Sequence, residues 1–156
     1  MKKYFFLFSI IFFLSGNSFN LFSQIKFEDY FESRTLRIDY IHAGNATENS
    51  YYLHELKEEP YWGGSKTNLL DIFNYGKYKI EIRDSATNKE IYSRFYSTLF
   101  SEWQTTAEAK EISKSFHESV VVPFPKKTVK AIYYTRDKKH NLHNKFELYV
   151  NPNNYF

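Results

Sequence analysis

The chain has 156 residues, no cysteine, and a formal net charge of +3 from 21 basic and 18 acidic side chains. The lack of cysteine excludes a disulfide framework, a thiolate metal site and a lipid-modified N-terminal cysteine. Once residues 1–23 are set aside, the balance falls to 19 basic against 18 acidic side chains. The signs alternate along the chain, without the concentrated positive face by which nucleic-acid binders displace counterions, so no nucleic-acid partner is expected.

Lys2 and Lys3 precede an almost unbroken apolar run from Tyr4 to Leu14, which ends in Ser15-Gly16-Asn17-Ser18. That pattern is a secretory signal peptide. A bilayer-spanning helix needs about 20 apolar residues, more than this run supplies, so no membrane span is expected after cleavage. Cleavage after Ser18 would place Gly16 and Ser18 at the positions a peptidase inspects. Cleavage after Ser23, which would leave Gln24 first, is favoured. The expected organisation is a signal peptide over residues 1–23 and one β-sandwich domain over residues 24–156, exported to the periplasm, the cell surface or the medium.

Residues 35–41 place Leu36, Ile38 and Tyr40 on one face and Arg37 and Asp39 on the other, the period of two of a half-buried strand. The loop signal His42-Ala43-Gly44-Asn45 ends it. Residues 51–57 fit a strand or a short helix, and Tyr51-Tyr52 favours the strand. Pro60-Tyr61-Trp62-Gly63-Gly64-Ser65 is the strongest turn signal, since adjacent glycines allow backbone angles that other residues avoid. Residues 78–83 and 90–98 read as a hairpin across the polar loop 84–89. Thr105 with Glu108 forms a capping box that opens a short helix over 106–114. Residues 117–122 form a β-branched strand halted by Pro123-Phe124-Pro125. Residues 128–135 and 145–150 make a last hairpin across 137–141. Of the 32 aromatic residues, 24 follow residue 23, enough to build a core of cross-strand pairs. The expected fold is all-β: an immunoglobulin-like β-sandwich of about seven strands with one short helix.

Few residues suggest chemistry. His54-Glu55-Leu56-Lys57-Glu58 resembles the first half of a zinc-peptidase helix, but position 58 holds Glu where the second histidine would stand, and Pro60 would end the helix. His140 and His143 lie in a basic hairpin tip, short of the three or four ligands that zinc takes. There is no phosphate-binding glycine loop and no Gly-x-Ser-x-Gly elbow. No catalytic residue, metal ligand or cofactor is expected. The binding candidates are Tyr61, Trp62, Gly63 and Gly64 in the glycine turn, together with Trp103. Trp62 is either an exposed stacking surface or a lid folded back onto the core, and the lid is favoured because tryptophan is highly buried on average.

Five stretches carry a resemblance: residues 35–46 (TLRIDYIHAGNA), 57–68 (KEEPYWGGSKTN), 74–78 (NYGKY), 96–106 (YSTLFSEWQTT) and 122–127 (VPFPKK). Together they resemble the N-terminal domain of the IgA peptidase family, the sixty-fourth family of metallopeptidases. The resemblance implies a β-sandwich accessory domain that precedes a separate zinc catalytic domain, so no catalytic or zinc-binding residue carries over to this chain. The partner it implies is that catalytic domain. The other reading is a free-standing extracellular module that binds a host glycan or protein through Tyr61, Trp62 and Trp103.

Overall fold

The computed structural model describes residues 25–154. Residues 1–23, where a signal peptide is expected, lie outside them. A single helical turn, α1 (Phe27–Tyr30), leads directly into β1 (Phe31–Gly44), which is followed by β2 (Asn49–Glu59), β3 (Tyr78–Asp84) and β4 (Glu90–Tyr96). Two further helical turns, α2 (Leu99–Trp103) and α3 (Glu108–Glu111), precede β5 (Lys114–Pro125), β6 (Val129–Arg136) and β7 (Leu142–Val150). The strands form two antiparallel sheets, ordered β2-β1-β5 and β4-β3-β6-β7. This is the expected seven-stranded β-sandwich. The four-stranded sheet follows the order of an immunoglobulin-like C′–C–F–G sheet, whereas in the three-stranded sheet the first strand lies at the centre.

The alternation seen in the sequence sets the faces. Leu36, Ile38 and Tyr40 of β1, Ile80 and Ile82 of β3, Val120 and Val122 of β5, and Tyr133 of β6 all point between the sheets and are buried. Aromatic rings meet edge-on or tilted across the interior, as between Tyr40 and Tyr133 at 5.2 Å and between Phe31 and Tyr92 at 6.4 Å. Such pairs each contribute about 0.5–1.5 kcal/mol beyond their buried area. Burial pushes the Tyr40 and Tyr133 phenols well above their ordinary range.

An imidazole–carboxylate pair joins β5 to the central strand β1 on the interior face of the three-stranded sheet. His42 is fully buried, its ring stacked between Tyr51 at 4.2 Å and Phe100 at 3.9 Å. Its Nδ1–H donates to Glu118 Oε2 over 2.9 Å, and the other carboxylate oxygen accepts from the Phe100 backbone N–H over 3.2 Å. Burial pushes the Glu118 carboxyl up, but these hydrogen bonds outweigh it and hold the group below its ordinary value. The carboxylate ties α2 to β5 and to the central strand β1.

Four local expectations differ from the structure. The loop signal at His42 does not end the first strand, because His42, Ala43 and Gly44 pair with both β2 and β5. Residues 106–114 do not form one capped helix, because the Thr105 hydroxyl donates backward to the Glu102 carbonyl over 2.7 Å and caps nothing. The helical residues divide into α2, which begins at Leu99 and shortens β4 to Tyr96, and α3, which has Ala107 at its N-cap and no side-chain cap. The prolines do not halt β5. Pro123 and Pro125 lie within it, opposite Thr35 and Phe31, because β5 is an edge strand and a proline there costs no ladder hydrogen bond when its nitrogen faces outward. Finally, neither Gly63 nor Gly64 has a positive φ; Gly44 and Gly76 do. Gly76 is required for space as well, since a Cβ there would meet the Tyr96 carbonyl oxygen at 2.6 Å.

The outer faces of the sheets carry ion pairs: Arg37 with Asp39 at 2.9 Å and Glu59 at 2.8 Å, and Lys79 with Glu81 at 2.7 Å and Glu90 at 3.0 Å. The exposed edge of β4 is covered by the connection that leaves β2. The Ser93 N–H donates to the Leu69 carbonyl over 2.9 Å, and the Phe95 N–H donates to the Asp71 carboxylate over 2.9 Å. Covering an edge in this way keeps another chain from pairing with it.

Candidate functional site

The connection over residues 60–77 builds the site. It leaves β2 at Glu59 and crosses the first residues of strand β1, where the Trp62 N–H donates to the Ser33 carbonyl over 3.1 Å and the Thr35 hydroxyl donates to the Tyr61 carbonyl over 2.7 Å. Ser65 then organises a tight turn, its Oγ accepting from the backbone N–H groups of Thr67 at 3.1 Å and Asn68 at 2.8 Å. Leu69 inserts into the core. Asp71 does for the next turn what Ser65 does for the first, taking the Phe73 N–H over 2.9 Å. Serine and aspartate side chains substitute in this way for missing backbone partners in irregular segments.

Trp62 is half-buried against the core, with its ring edge-on to Tyr92 at 5.9 Å and 81° and its Nε1–H donating to the Ser65 carbonyl over 3.2 Å. The indole lies so close to Gly64 that a Cβ there would stand 2.3 Å from its Cζ2 atom. Gly64 is therefore needed for the close approach of the ring, not for its backbone angle. Gly63 has open space around its Cα. Tyr61, one residue earlier, is 82% exposed.

Between this turn and β4 opens a cleft of about 710 Å³, lined by Tyr61, Trp62, Asn68, Ile72, Tyr92 and Arg94 among others. Its size falls in the range of about 300–1,000 Å³ typical of ligand sites. Ile72 and Phe73, which also line it, are 83% and 71% exposed, and Tyr75 farther along the same connection is 80% exposed. Against sheet faces laced with ion pairs, Tyr61, Ile72, Phe73 and Tyr75 put four large exposed apolar side chains on one connection. Ile72 and Phe73 did not stand out in the sequence, and Tyr75 did so only within the 74–78 stretch that carries the resemblance. The signal of Ile72 and Phe73 was an apolar pair with neither a period of two nor one of 3.6, held between turn-forming Asp71 and Asn74.

The two tryptophans do not share a surface. Trp62 lies at the start of β1, whereas Gln104, next to Trp103, donates to the Asn45 carbonyl just beyond the end of β1. Ten strand residues separate these ends by roughly 30 Å. Trp103 is half-buried between Phe100 at 5.7 Å and Phe116 at 5.5 Å, with its Nε1–H donating to Glu108 over 2.8 Å. Its packing holds α2 and α3 on β5.

The histidines also fall into place. His54 is on strand β2, not on a helix. His143 is held by Asp137 over 2.8 Å. The bond from His143, with backbone N–H groups behind it, keeps the Asp137 carboxyl well below the ordinary range. Among the described residues, no group of three or more histidine, cysteine or acidic side chains is arranged to hold a metal ion.

A family model for the peptidase M64 N-terminus matches residues 26–147. The chain belongs to that family. The match spans every strand up to the middle of β7 and includes the whole 60–77 connection. The cleft and its apolar rim are thus part of the M64 N-terminal domain proper. No curated protein matches the chain.

Proposed function

We propose that this M64 N-terminal domain is an exported, non-catalytic accessory unit that docks a peptidase catalytic domain on the apolar rim of the 60–77 cleft. The observation that carries the reading is the concentration of exposed Tyr61, Ile72, Phe73 and Tyr75 on one connection of a domain whose family is defined as a peptidase N-terminus. Isolated exposed apolar residues are ordinary, but a contiguous set marks an interaction surface. Aromatic side chains next to a pocket are the usual anchors of such contacts. The rim is also rigidly presented: Asp71 bonds to β4, Gly76 packs against Tyr96, and Arg136 donates to the Asn74 carbonyl over 3.2 Å.

The test uses the 24–156 domain and the catalytic domain of an M64 peptidase, produced separately and mixed, with binding measured by calorimetry. The wild-type pair associates. Phe73→Glu with Tyr75→Glu weakens association by about 2 kcal/mol or more, as expected for aromatic anchors, while the melting temperature stays within the small change usual for exposed positions. Unchanged affinity in the double variant would move the contact elsewhere. Binding to a glycan and not to the peptidase would replace the accessory role with that of a free-standing module.

Export is tested independently. Mass spectrometry of the product recovered outside the cytoplasm is expected to find an N-terminus between Ser18 and Lys26, as the Lys2-Lys3 and Tyr4-to-Leu14 pattern requires. An intact Met1 in that pool would refute it.

A further inference from the structure

We propose that His54 and His117 together form a two-ligand binding site for a divalent late-transition metal ion on the outer face of the three-stranded sheet. The two residues come from β2 and β5, which are not neighbours: β1 runs between them. Side chains on such strands start roughly 10 Å apart, two strand spacings. Even so, the two imidazole centroids are 4.9 Å apart, with the ring planes at 86°.

A β-bulge accounts for the approach. The register of β1 with β2 steps from Asp39↔Glu55 to Tyr40↔Leu53, which leaves His54 as the extra residue. A bulge bends its strand and re-aims the side chain it carries. His117 lies opposite Ile41 on the same outward face.

The spacing suits a metal. With zinc–nitrogen bonds of about 2.0–2.1 Å, each ring centroid would sit roughly 3.2 Å from the ion, so two ligands at 90–109° would bring the centroids about 4.5–5.2 Å apart. The observed 4.9 Å lies inside that window. The rings are also free to coordinate. His42 and His143 are committed to Glu118 and Asp137, whereas His54 and His117 are exposed and have no hydrogen-bonding partner among the described residues. A metal ion takes imidazole ligands in the neutral form through a ring nitrogen.

With two protein ligands, water fills the remaining positions, and the ion is held more weakly and exchanges more readily than in a four-ligand structural site. Imidazole pairs suit copper, nickel and zinc, with copper the strongest. The site is not a peptidase centre, since His54 is on a strand and the neighbouring Glu55 is paired with Lys57 at 2.7 Å.

Titration of tag-free 24–156 domain with Zn²⁺ in a non-chelating buffer near neutral pH tests this. One ion per chain is expected to bind with a dissociation constant in the micromolar range, and imidazole NMR signals of His54 and His117 should shift. His54→Ala and His117→Ala should each weaken binding by about tenfold or more, because loss of even an outer-shell partner of a metal ligand costs that much. His140→Ala with His143→Ala should leave it unchanged. Both target residues are exposed, so the variants are expected to fold. No saturable binding, binding retained in both single variants, or binding lost only in the hairpin-tip variant would overturn the assignment.

Discussion

Replacing Glu118 with alanine is expected to destabilise the domain by about 3–5 kcal/mol, the cost of leaving one half of a buried polar pair without its partner. The truncation strands the His42 Nδ1–H and the Phe100 N–H in an interior where His42 is closed in by Tyr51 and Phe100. Against a total stability of about 5–15 kcal/mol for a domain, the melting temperature should fall by about 15 °C or more. The double variant His42→Phe, Glu118→Leu is expected to recover much of this, because apolar residues of similar shape replace a buried pair at little cost. If the single variant melts within a few degrees of wild type, the pair is not structural. The same pair shapes the acid response. The folded-state value of Glu118 is lowered, so its contribution to stability is complete above the unfolded carboxyl value of about 4.3 and is lost as pH falls below that value, through the lowered folded one. Glu118→Gln should lack this component of acid unfolding.

The Trp62 turn gives the second large effect, and it separates a lid from a platform. Removing a fully buried tryptophan costs about 3–5 kcal/mol. Trp62 is half-buried, so Trp62→Ala should cost about 2 kcal/mol, or roughly 10 °C in melting temperature. The loss comes from the edge-on contact with Tyr92, the Ser65 hydrogen bond and the packing on Gly64. Tyr61→Ala, one residue away but 82% exposed, should change stability by no more than about 0.5 kcal/mol and show its effect in association with the catalytic domain. Thermal unfolding and calorimetry on the two variants decide the matter. An unchanged melting temperature for Trp62→Ala would show that the indole is a contact surface and not a support for the cleft.

The sequence by itself determined the parts of this protein that depend on short-range pattern. Alternation placed Leu36, Ile38 and Tyr40 inward, and turn chemistry separated the strands, because a period of two and a glycine or aspartate turn are local properties of the backbone. The resemblance carried by TLRIDYIHAGNA and KEEPYWGGSKTN identified the family. Only the tertiary structure decided what depends on which strands are neighbours. Pro123 and Pro125 could stay in a strand because β5 proved to be an edge. Thr105 and Glu108 match a capping box by spacing, yet packing of Trp103 and Phe100 against β5 set where the helical turns fall. Trp62 and Trp103, both aromatic candidates in the sequence, were separated by the length of β1. Residues that no local rule connects were brought together in turn: His42 with Glu118, Tyr61 with Phe73, and His54 with His117. The two histidine pairings required a strand order or a bulge, and Tyr61 with Phe73 required the turns that Ser65 and Asp71 organise. Such features arise from burying two sheets against each other, a long-range energy that no window of neighbouring residues records.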